Sequence, residues 1–226
     1  MLMLEAINHP DSIRANFRTA QVYKAFAIVS KDSEQKTFYK GKALEYFQNI
    51  ENLDKNDVRG KMGMLQTYLQ LRILPPPSLI EDLIEVMSFS TIDGGSLFTM
   101  HSYKDCMISR ECLLTAEEYH RIVESLLNNE NVAGDFRRRL LINHADYLAR
   151  ARNNTDGAIT TVLEALIEYP TVDDLMLLAQ YYEEGGYNDQ VIRTIAFLEE
   201  EDKYGRFRKF IRETRTRISD RTFDTE

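Results

Sequence analysis

Residues 139–203 read RLLINHADYLARARNNTDGAITTVLEALIEYPTVDDLMLLAQYYEEGGYNDQVIRTIAFLEEEDK. Two helix pairs recur here at one constant spacing. Ile142, Ala145, Asp146 and Ala149 of the first pair correspond to Leu175, Leu178, Ala179 and Tyr182 of the second. Ala158, Val162 and Ala165 correspond in the same way to Val191, Ile195 and Leu198. Apolar and small residues three and four apart share one face of a helix, the face that must be buried. An internal repeat of this length marks a helical solenoid, whose units bury their faces against one another. The expectation is an all-α chain that works by holding something along an extended surface.

The segments on either side extend the same pattern. Asp11 and Ser12 can cap a helix that carries Ile13, Phe17, Ala20, Tyr23, Ala27 and Ile28 at helical spacing. Phe38, Ala43, Phe47 and Ile50 mark its partner, and their spacing matches that of Ala158, Val162 and Ala165. A third helix is predicted from about Val58 to Leu74, ended by Pro75-Pro76-Pro77 because successive prolines cannot donate helix hydrogen bonds. Ser78 and Glu81 read as a capping box for a fourth helix bearing Leu79, Leu83, Val86 and Met87. Thr115 and Glu118 open the next helix in the same way, with Tyr119, Ile122, Val123 and Leu126 on its buried side. Residues 90–112, with Gly94-Gly95, are the least regular stretch. The run YGRFRKFIRETRTRIS, 204–219, places Phe207, Phe210, Ile211, Thr214 and Ile218 on one face and arginines on the rest, as a terminal capping helix requires.

Composition bounds the function classes. The formal net charge of −8 argues against nonspecific binding of nucleic acid by the whole molecule. No apolar run approaches the roughly 18 residues of a membrane span, and the start MLMLEAINHP lacks the basic and long apolar regions of a signal peptide. Cys106 and Cys112 read either as two thiols near a helix start or as a small structural disulfide.

Motifs for chemistry are sparse. His101, Cys106, Cys112 and His120 lack the short paired-cysteine knuckle of a structural zinc site, so no metal is expected. No strained turn or oxyanion site accompanies Cys106 with His101 or His120, so no catalytic residue is assigned and no enzyme activity is expected. Phosphate-loop and dinucleotide glycine patterns are absent, so no cofactor is expected. The acidic runs Glu183-Glu184 and Glu199-Glu200-Glu201-Asp202 read as solvated helix faces, and Arg137-Arg138-Arg139 as partners for acidic neighbours.

The residues of 139–203 resemble the tetratricopeptide (TPR) repeat family. Leu175, Leu178-Ala179 and Tyr182 stand at the first-helix positions of that pattern, with Gly186 in the turn and Val191, Ile195 and Leu198 on the second helix. Ala158, Val162, Ala165 and Pro170 fit the second helix of the preceding repeat; Asp146 departs from the pattern where a small residue is usual. The resemblance implies one TPR-like domain of antiparallel helix pairs over 1–226. It divides into a first pair (1–56), a second pair (57–89), an irregular segment plus helix (90–136), two repeats (137–203) and a capping helix with tail (204–226). It also implies that first helices line a concave groove, placing Asn143, Tyr147, Arg150, Met176, Gln180 and Glu183 against a protein or peptide partner, as in a scaffold or adaptor. A second resemblance, carried by HPDSIRANFRTAQVY and the mid-chain cysteines, is to soluble repeat tails of bacterial polytopic membrane proteins of the glycosyltransferase and O-antigen-ligase kind. That one implies a periplasmic accessory domain of a glycan-handling parent chain, with Cys106–Cys112 as a disulfide; otherwise the chain is expected in the cytoplasm.

Overall fold

The computed structural model describes residues 6–89 and 113–223, and its described residues form helices with no strand among them. His101, Cys106 and Cys112, and with them the disulfide reading, lie outside the described residues. The chain divides into two compact units, Met1–Val132 and Ala133–Glu226.

The first unit contains α1 (Ile13–Val29), α2 (Ser33–Leu53), α3 (Val58–Gln70), α4 (Pro77–Met87) and α5 (Ala116–Leu127). Successive helices pack on one another, and α1 also meets α3. Phe47 of α2 is fully buried and meets Phe17 edge-on at 6.1 Å. Its ring lies directly over Gly63 of α3, where any Cβ would overlap it. Glycine at this position lets α2 and α3 approach closely.

Three local expectations change here. The apolar stripe of α1 is rotated: Ala20 and Ala27 are buried, but Ile28 is exposed and Asn16, Thr19 and Lys24 take inner positions. These polar groups are tolerated because they find partners; Asn16 donates to the Pro10 and Ser12 carbonyls, and Lys24 Nζ donates to Gln66 Oε1 at 2.8 Å. Helix α3 ends at Gln70, before the prolines, because Arg72 takes a left-handed conformation (φ 57°). Ile73 N–H then donates to the Tyr68 carbonyl and Arg72 N–H to the Leu69 carbonyl, closing a Schellman motif. Ser78 and Glu81 form no capping box: α4 begins at Pro77, two residues before the start such a box would set, and proline at this first position needs no N–H donor. Glu81 instead accepts both guanidinium arms of Arg121 from α5, at 2.8 and 2.6 Å. The capping box at Thr115 and Glu118 is present in full.

The second unit contains α6 (Gly134–Ala151), α7 (Thr155–Glu168), α8 (Val172–Glu184), α9 (Asn188–Glu201) and α10 (Arg208–Phe223). The corresponding positions of the two pairs share one environment. Ala158 and Val191, Val162 and Ile195, and Ala165 and Leu198 are all fully buried, and so is Ala145 while its counterpart Leu178 is 4% exposed. The turns correspond as well. Asn153 (φ 50°) and Gly186 (φ 77°), separated by the same spacing, are both left-handed, the conformation that reverses the chain after a helix. The core runs lengthwise. Leu178 and Tyr181 of α8 join one cluster with Ala145, Ala158 and Val162, while Ala179 of the same helix joins the next with Val191, Ile195 and Leu198. Phe207, Ile211 and Ile218 close that second cluster from the α10 side.

Candidate functional site

Polar ties order the first helices of the second unit. Arg138 near the start of α6 grips Asp174 near the start of α8, at 2.9 and 2.8 Å. Towards their other ends, Tyr181 of α8 donates its hydroxyl to Asp146 of α6 at 2.7 Å. The same arrangement recurs one step along: Arg206, just before α10, reaches Asp173 of α8, and Arg217 of α10 makes two hydrogen bonds to Glu183 at 2.8 and 2.9 Å. Early residues meet early residues and late meet late, so α6, α8 and α10 run parallel and side by side. Burial disfavours the charged form of Arg138, but hydrogen bonds to Asp174 and Asp135 outweigh it and hold the guanidinium above its ordinary value. Burial pushes the Tyr181 hydroxyl upward, and the neighbouring Asp146 carboxylate adds to the shift.

The six positions assigned to a groove fall into two groups. Asn143, Arg150 and Gln180 leave α6 and α8 half-exposed or exposed, and Arg150 is the most open of them, its side chain 67% accessible and 3.6 Å from Asp146. Tyr147, Met176 and Glu183 have other surroundings. Tyr147 is buried, accepts a hydrogen bond from Arg152 Nε at 2.6 Å, and has that guanidinium over its ring. Met176 packs on the cluster that α9 and α10 share. Glu183 is tied to Arg217, its side chain only 10% accessible. Helical spacing places all six positions on α6 and α8, but the surroundings of Met176 and Glu183 depend on α10, whose contact with α8 no local pattern announces.

Two surface features were not read from the sequence. A cavity of about 540 Å³ opens between α9 and α10. Ile211 lines it together with Glu199 and Asp202 from the α9 side and Arg208, Arg212 and Arg215 from α10. In the first unit, Tyr46, Tyr23, Tyr39, Phe26 and Phe38 form a continuous run of ring contacts at 5.4–6.3 Å, with Phe26 and Phe38 exposed. The signal for the cavity was the density of arginine in 204–219; the signal for the aromatic run was the i, i+3 placement of Tyr23 and Phe26.

Among the described residues no three His, Cys, Asp or Glu side chains converge as a metal site would need, and no helix is long and apolar enough to cross a membrane. Comparison with protein-family models finds no family that matches the chain, and no curated protein matches it.

Proposed function

We propose that the chain is a noncatalytic, TPR-like helical-repeat module that captures a segment of a partner protein on the face of α6 and α8 bearing Asn143, Arg150 and Gln180. The observation that carries this reading is the repetition of environment along the second unit: matched buried positions, matched left-handed turns at Asn153 and Gly186, and parallel first helices tied at both ends. Stacked pairs of this kind present first helices as one continuous surface, and that surface is the natural place for an extended ligand. An exposed arginine with two amides offers directed hydrogen bonds to a peptide backbone and its side chains. Tyr147 and Met176 support this face from within rather than touching the ligand.

Affinity capture from the source cells tests the reading, with the variant Asn143→Ala/Arg150→Glu/Gln180→Ala beside the unaltered chain. These side chains carry no core packing, so the variant is expected to melt within about 1 kcal/mol of the parent. It is expected to lose the captured protein. Undiminished capture by a folded variant would overturn the assignment of this face.

A further inference from the structure

We infer that the cleft between α9 and α10 is a second binding site, separate from the face of α6 and α8, and that it takes an extended acidic segment of a protein through Arg208 and Arg212.

The inference starts from the ion pairs around the cleft. Most cations of this region are engaged: Arg206 with Asp173, Arg215 with Glu199, Arg217 with Glu183 and Lys209 with Glu213. The two acids in the cleft are engaged as well. Glu199 holds Arg215, and Asp202 accepts the backbone N–H groups of Arg206 and Phe207 at 2.8 and 2.7 Å. Arg208 and Arg212 line the same cavity and form no ion pair among the described residues. Two exposed guanidinium groups thus face an open cleft in a chain whose net charge is −8.

Geometry selects the ligand. Residues four apart on a helix are about 6 Å apart along its axis. Alternate residues of an extended strand are about 6.6 Å apart and point to one side. Carboxylates at every second position of an extended segment therefore match Arg208 and Arg212, with each guanidinium able to take one in bidentate fashion. Arg208 lies against Gly205, which has φ 68° and no side chain to displace it. The buried Ile211 supplies apolar contact between the two arginines. Glu199 and Asp202 on the facing wall disfavour a continuous polyanion such as nucleic acid, whose every unit carries charge, and tolerate a peptide whose charge is on one edge only.

Fluorescence anisotropy on the full chain with a labelled peptide of alternating glutamate and serine tests this, against a glutamine-for-glutamate peptide, a single-stranded oligonucleotide and phosphatidylserine vesicles. The glutamate peptide is expected to bind, the glutamine peptide to bind at least tenfold more weakly, and Arg208→Gln/Arg212→Gln to lower glutamate-peptide affinity by roughly tenfold or more. Lys55→Gln/Arg193→Gln changes net charge equally at exposed positions outside the cleft and is expected to stay within about twofold. Equal losses in both double variants, no binding of the glutamate peptide, or preference for the oligonucleotide or the vesicles would overturn the inference. Loss of this binding with capture on the α6–α8 face intact, or the reverse, separates the two sites.

Discussion

At the scale of single residues, Asp146 is the most instructive. It breaks the repeat pattern in the sequence, yet the fold gives it a purpose: it receives the hydroxyl of Tyr181, which is 1% exposed, and so ties α6 to α8. A tyrosine on α8, two helices further along the chain, accounts for a carboxylate where a small residue is usual. Tyr181→Phe removes the donor and leaves Asp146 partly desolvated, so it is expected to lower stability by about 1–2 kcal/mol in urea denaturation. The pH dependence has a definite sign. Above pH 10 the unfolded tyrosine ionises while the folded one keeps its proton, so stability falls as pH rises past that point, and Tyr181→Phe removes this part of the fall. Lys24 acts in the opposite direction. Burial lowers its pKa to about 8, so between about pH 8 and 10.5 the unfolded chain holds a proton that the folded chain has released. Stability therefore climbs with pH across that window. Lys24→Met is expected to raise stability at pH 7 by about 1–2 kcal/mol and to abolish that climb, measured by denaturation at a series of pH values.

At the scale of elements, helix existence and pairing were legible because the apolar positions recur with helical period. Ends were less so. Leu71–Leu74 continue the pattern of α3, but Arg72 turns left-handed two residues after the helix stops, a choice made by the following Pro75–Pro77 and by the closing hydrogen bonds together. Ser78 looked like a cap because it precedes an apolar run by the correct distance; Pro77 starts the helix first. Burial of Lys24 and Asn16 on α1 was illegible for a different reason: their partners Gln66 and Pro10 belong to other elements, and an apolar stripe carries no record of them. Glycines carry a signal that periodicity ignores. Gly63 is smooth helix in the sequence, but a methyl group there would sit 2.1 Å from the Phe47 ring. Gly63→Ala is expected to cost about 1–3 kcal/mol despite its better helix propensity, with the loss read from the thermal midpoint. A rise in the midpoint would show that α2 and α3 do not approach as described.

At the scale of the whole molecule, successive helices pack on one another within each compact unit. In the second unit they are tied by charges as much as by apolar packing: Arg138–Asp174 has both side chains largely buried, and the Asp173–Arg206 and Glu183–Arg217 ties bring α10 onto α8. This explains why only part of the candidate face was legible. Asn143, Arg150 and Gln180 depend on the register of α6 and α8 alone, which the repeat carries. Met176 and Glu183 depend on α10, whose Arg217 lies 34 residues beyond Glu183 in the chain and outside the repeat. The α9–α10 cleft was hidden for another reason: its walls are consecutive helices, but spacing along the sequence does not say which of their side chains face one another across the turn.

The central claim is that the outer face of α6 and α8 meets a partner protein. Site-specific photo-crosslinking addresses it most directly, with a photoreactive residue placed in turn at Asn143, at Gln180 and at Ile167, which is 86% exposed on α7. The account predicts a discrete protein adduct from Asn143 and from Gln180, the same partner in both, and none from Ile167. An adduct from Ile167 alone, or no difference among the three positions, would contradict it.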